Sequence, residues 1–233
     1  MPRARAFSSA RWIAGCALAE CLGIGTAGAV AVLFERMFGA PQTWAGRAAV
    51  LGAMALAGAV EGSALGFAQW RELRWRVPTL QVRAWLGVTV AAAVIGWGAG
   101  MSGPVLAGAG DGSASGSAAA ASAASAEPPL AVILLMSAGV GVAAGLFFGG
   151  AQWLVLRRHV AREQARRWVV INAAAWAPAM AAIFAGASIP SAQWSLQAIV
   201  ASGAAGGLVG GTLLGLVTLP VASRLGEGGA RGD

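Results

Sequence analysis

The sequence predicts an all-α, polytopic integral membrane protein of six transmembrane helices. Composition is the first reason. The 233 residues are 58% hydrophobic and 11% charged, whereas a soluble domain carries about 25% charged residues. Mean hydropathy is correspondingly high, at +0.69. The second reason is six apolar runs, 12–35, 48–70, 84–107, 129–156, 168–189 and 197–223. Each reaches the ~20 residues that cross a bilayer as a helix.

Run one, 12–35, exceeds the ~7–15 apolar residues of a secretory signal core and contains Glu20, so it reads as a retained span. Its Cys16 and Cys21 are five apart, which fits neither C-x-x-C nor a metal site. Run two contains Glu61 and the row Gly58, Gly62, Gly66, a small-residue face that admits a neighbouring backbone. It ends in Gln69-Trp70, and an arginine-rich turn leads to Trp85 at the head of run three. Residues 111–129, "DGSASGSAAAASAASAEPP", are of low complexity and cannot build a core. Run four carries Gly141, Gly145 and Gly149 and ends in Gln152-Trp153. A second basic turn leads to Trp168 at the head of run five, which also holds Asn172, Trp176 and Pro178. Run six carries Gly203, Gly207, Gly211 and Gly215. The expected division is an N-terminal three-span half, 1–107, a flexible extracytoplasmic linker, 108–128, a C-terminal three-span half, 129–225, and a disordered cytoplasmic tail, 226–233.

Residues 58–89 align with 141–172 without gaps, and 12 of the 32 positions are identical. The matches include the glycine rows, both Gln-Trp pairs, Arg74 with Arg157, Gln81 with Gln164, and Trp85 with Trp168. Both copies run in the same direction, as parallel repeats do. Glycines place the helix contacts. Gln69, Trp70, Gln152, Trp153, Trp85 and Trp168 form an expected interface motif, since indole rings favour the membrane–water boundary. Run six has the glycine row and run one begins Arg11-Trp12. The two therefore suggest a third, split hairpin and a pseudo-threefold arrangement, although run six lacks the Gln-Trp pair.

Every basic side chain is an arginine, and the 16 are unevenly spread. With the N-terminus inside, only Arg36 and Arg47 fall on the outer side. Arginine resists translocation, so both termini are expected in the cytoplasm. The net charge of +7 then suits anionic headgroups. No nucleic-acid partner is expected; a homo-oligomer or a membrane partner subunit is compatible with the small-residue faces.

The hairpin "Q-W-x-x-L-R" followed by "W-x-x-x-N" resembles a group of bacterial multi-pass membrane proteins of uncharacterised role. The resemblance covers runs two to five and implies class and topology only. This chain departs from it where Thr89 stands in place of Asn. The arginine-only, Ala/Gly-rich composition also suits a bacterium of high GC content.

Chemistry is sparse. "GIGTAG" at 23–28 and "GVGVAA" at 139–144 imitate a dinucleotide fingerprint, but both lie in mid-span rather than between a strand and a helix. One His and two Cys make no ordinary zinc site, and no nucleophile–base set can be assembled. No metal, cofactor or enzymatic activity is expected. Glu20 and Glu61 stand out. Each lies about 12–14 Å from the cytoplasmic tryptophans at 1.5 Å per residue, where an acid costs roughly 2.5–3.5 kcal/mol and usually faces a protein interior. With Trp176 and Asn172 they form a candidate intramembrane binding or proton site. Two readings follow. One is a structural or interaction protein of the bacterial inner membrane. The alternative is a small transporter or channel for protons, cations or cationic solutes using Glu20 and Glu61.

Overall fold

Each apolar run forms one helix. The computed structural model describes residues 6–39, 41–107, 129–189 and 194–227. The helices are α1 (Ser9–Phe38), α2 (Trp44–Leu73), α3 (Val82–Ala107), α4 (Leu130–Leu156), α5 (Arg162–Ala187) and α6 (Leu196–Ala222). All six contain a window long and apolar enough to cross a membrane, so the chain is a multi-pass membrane protein. The linker, 108–128, and residues 228–233 of the tail lie outside the described residues.

Local chemistry sets several helix starts. Ser8, Thr43 and Ser195 each accept a hydrogen bond from the backbone N–H three residues on, as N-caps do. Pro178 lies inside α5, yet the helix runs unbroken from Arg162 to Ala187. The interrupted span that transporters often use at a binding site does not occur there.

The helices close a ring in which each touches the next and α6 returns to α1. Contact is most extensive within α2/α3, α4/α5 and α6/α1, and slightest between α3 and α4. Glycine explains the first three. A Cβ on Gly62 would come 2.8 Å from Val90 Cα, one on Gly145 2.6 Å from Ala173 Cα, and one on Gly211 2.7 Å from Ala17 Cα. Gly66, Gly149 and Gly215 repeat the approach one turn on, against Thr89, Asn172 and Cys16. Gly58, Gly141 and Gly207 do so one turn back, against Ala93, Trp176 and Glu20. Gly203 sits in ordinary contact, 3.6 Å from Ile24 O. Lipid tails are as apolar as these side chains, so helix association depends on close packing rather than on escape from water. Backbone-to-backbone approach supplies that packing.

The two arginine-rich turns, the residues before α1 and those after α6 meet at one end of the ring. Arg11 Nε donates to Glu72 Oε1 at 2.8 Å, Thr79 Oγ1 lies 2.9 Å from His159 Nδ1, and Arg76 pairs with Glu227 at 3.0 Å. Gln164 Nε2 donates to the Glu227 carbonyl at 2.7 Å, and Gly226 N–H donates back to Gln164 Oε1 at 3.2 Å. Residues 226 and 227, the start of the expected tail, are therefore seated against α5 and the α2–α3 turn. At the opposite end an Arg36 Nη2 group donates to the Trp194 carbonyl at 2.9 Å, which joins the α1–α2 and α5–α6 connections.

Candidate functional site

Positions four apart on a helix share a face, and α1, α3 and α5 each turn such a file inward. The files are Trp12, Cys16, Glu20 on α1; Trp85, Thr89, Ala93 on α3; and Trp168, Asn172, Trp176 on α5. All are buried. The glycine contacts above place them in register, so each file adds one residue to each of three stacked layers.

The layer at the arginine-rich end is aromatic. Trp168 meets Trp85 edge-on at 5.9 Å and Trp12 at 6.2 Å. Such pairs contribute about 0.5–1.5 kcal/mol each beyond area burial. Here the expected interface motif needs correction. Trp85 and Trp168 do not lie on the outer surface of the ring; with Gln69 and Gln152 they are fully enclosed. Only Trp70 and Trp153 are part-exposed. The reason is geometric: a Trp at the head of an inward-facing file points at the axis, not at lipid.

Polar groups in this layer pair both within hairpins and across them. Trp12 Nε1 donates to Thr218 Oγ1 and to the Gly215 carbonyl, both at 3.1 Å. Trp168 Nε1 donates to Gln152 Oε1 at 2.9 Å. Gln152 Nε2 donates in turn to Gln69 Oε1 at 3.0 Å and to Thr89 Oγ1 at 3.1 Å. Trp85 Nε1 has no hydrogen-bond partner among the described residues, an omission that costs about 1–3 kcal/mol. In the middle layer, Asn172 Nδ2 donates to its own helix, at the Trp168 carbonyl, 2.8 Å away.

The third layer holds Glu20, with Ala93 and Trp176. Glu20 is completely buried, and neither carboxyl oxygen has a hydrogen-bond partner among the described residues. Glu61 enters from α2. A Cβ on Gly23, one turn from Glu20, would come 2.5 Å from Glu61 Cγ, so Glu61 packs against α1 one turn from Glu20. Glu61 Oε2 accepts from Trp97 Nε1 at 2.7 Å. No ion pair reaches either acid among the described residues. The structure therefore sets Glu61 against α1 one turn from Glu20 and Trp176 in the Glu20 layer. Trp176 stacks on Phe148 of α4 at 5.0 Å. Asn172 lies one layer away.

Two participants were not expected from the sequence. Trp97 is the donor to Glu61, a pairing 36 residues apart. Glu72 is buried at the arginine-rich end, where it accepts from Ser8 N–H and from Arg11. Its place beside Arg71 and Arg74 disguises it as one more charge in an exposed turn. Among the described residues no three His, Cys, Asp or Glu side chains gather as a metal site would require.

Compared with protein-family models, with curated proteins and with solved structures, the chain gives no significant match. The resemblance of its hairpin motif thus identifies no family.

Proposed function

We propose that the chain is a small transporter of a bacterial inner membrane, with both termini cytoplasmic, that takes up a proton at the Glu20–Glu61 pair. The carrying observation is that both Glu20 oxygens are buried without a donor among the described residues. A carboxyl group kept only to tie helices together would be expected to spend its oxygens on a neighbour, as Glu61 does on Trp97. The donor set favours a proton over a larger cation. A hard metal ion wants six or more oxygens, and the pair offers at most four, one already engaged. The arginine asymmetry supports the orientation.

Proton flux into proteoliposomes under an imposed pH gradient, read by an entrapped pH dye, tests this. Glu20→Gln, which removes the ionisable group, should lower the rate by about 10²-fold or more, the lower end of what a positioned proton-transfer group contributes, while elution and helicity stay unchanged. Glu61→Gln should do the same. Equal rates in the wild type and both variants would sink the reading. The structural or interaction reading would then stand, and one observation favours it: the tryptophan layer closes the axis at the arginine-rich end.

A further inference from the structure

The seams between hairpins are unlike one another. On the α1/α2 seam Gly15 meets Ala68 and Gly23 meets Glu61. On the α5/α6 seam Gly186 meets Gly206, Gly210 meets the Ala179 carbonyl, and Ser202 Oγ donates to the Gly186 carbonyl at 2.8 Å. Among the described residues, no glycine of the α3/α4 seam makes a backbone approach of this kind. Away from the arginine-rich end its nearest glycine contact is Gly96 with the rim of the Phe148 ring, at 3.8 Å from an added Cβ. What spans it is polar: the Gln152 amide reaches from α4 to Gln69 and Thr89.

The hydrogen bonds around that amide follow a rule with one exception. Thr218 and Gln152 occupy equivalent positions, three residues past the last glycine of each row, and each accepts from the tryptophan of its own hairpin. Gln69 holds the third such position. Its Oε1 is engaged instead by Gln152 of the neighbouring hairpin, and the indole it should serve, Trp85, is left without a partner. If the seam opens, Gln152 keeps Trp168, and the Gln69 amide, no longer held by Gln152, can turn its Oε1 toward Trp85. Every hairpin then satisfies its own tryptophan. Opening breaks the two bonds that the Gln152 amide makes across the seam, to Gln69 and to Thr89, and a Gln69–Trp85 bond offsets part of that loss, which brings the open arrangement closer to the closed one.

We propose that the α3/α4 seam is a lateral gate to the Glu20 layer, latched by the hydrogen bonds of the Gln152 amide to Thr89 of α3 and Gln69 of α2 and plugged by Phe148. Phe148 of α4 faces α3 at Gly96, where an added Cβ would lie 3.8 Å from its ring, and stacks on the axial Trp176. Its withdrawal with α4 opens the third layer toward the bilayer. The purpose assigned to the gate rests on the reading of Glu20 and Glu61 as the ligand site.

The gate is read by distance, independently of flux. Spin labels on Ala99→Cys of α3 and Met136→Cys of α4, both exposed, are placed in a Cys16→Ala, Cys21→Ala background in lipid nanodiscs. Two distances are expected. Gln152→Leu should raise the longer-distance population roughly fivefold, the order of exchanging one buried hydrogen bond, and Trp85→Phe should lower it by a similar factor. A single distance, the same in the parent and in Trp85→Phe, overturns the proposal even if Gln152→Leu fails to fold, because Trp85→Phe leaves the latch intact. Two distances that respond this way, with flux unaffected by Glu20→Gln, keep the gate and remove the carboxyl reading. One unchanging distance, with flux lost in Glu20→Gln, does the reverse.

Discussion

Glu72 and Glu20 are both fully enclosed acids, and their surroundings give them opposite roles. Glu72 spends its oxygens on Arg11 and the Ser8 backbone, and Arg71 Nε lies 3.6 Å away. It fixes the start of α1 to the end of α2. Glu72→Ala should therefore lower the thermal midpoint in detergent by several degrees and leave proton flux per folded molecule unchanged. A midpoint equal to wild type would show that the Arg11 contact contributes nothing. Glu20 was legible from the sequence because an acid in mid-span is conspicuous against Ala and Leu. Glu72 was not, because an acid among arginines looks like solvated charge, and its partner Arg11 lies 61 residues away. Trp85 and Trp168 misled for a related reason. Sequence gives the depth of an indole, but whether it faces lipid or the axis depends on helices elsewhere in the chain.

Helices were the most legible level. Span count, the glycine rows and their periodicity follow from residues within one element, and the pairing of α2 with α3 and of α4 with α5 follows from short turns. The pairing of α6 with α1 left a fainter mark, since Thr218 stands where the other hairpins have Gln. The slightness of the α3/α4 contact left none. Glycine positions give a graded test. Gly145→Leu drives side-chain atoms into the Ala173 backbone, where neither helix can yield, and should abolish recovery of folded protein. Gly87→Ala meets nothing within 4 Å and should be neutral or stabilising by up to about 1 kcal/mol through helix propensity. Similar stability of both variants would mean that the rows are not contacts.

At the scale of the molecule, sidedness decides how the site is reached. With the arginine-rich end in the cytoplasm, the tryptophan layer closes the axis on that side and Glu20 lies beyond it. A Cys replacing Arg162 should then be labelled only after permeabilisation, whereas one at Ser115 should react from outside in intact cells. The opposite pattern would invert the molecule and move the tryptophan closure to the outer face.

The partnership of α6 with α1 also bears on how the protein is made. Between Ser9 and Leu196 the ribosome needs roughly 10–40 s at 5–20 residues per second. Through that interval α1 resides in the bilayer with the face that receives Gly207, Gly211 and Gly215 uncovered. Its acid at position 20 has no completed interior to enter until the last helix arrives. Nascent chains halted before Leu196 should accordingly be short-lived, cleared by membrane proteases that leave the finished ring alone. Supplying α6 as a separate peptide during synthesis should prolong their lifetime.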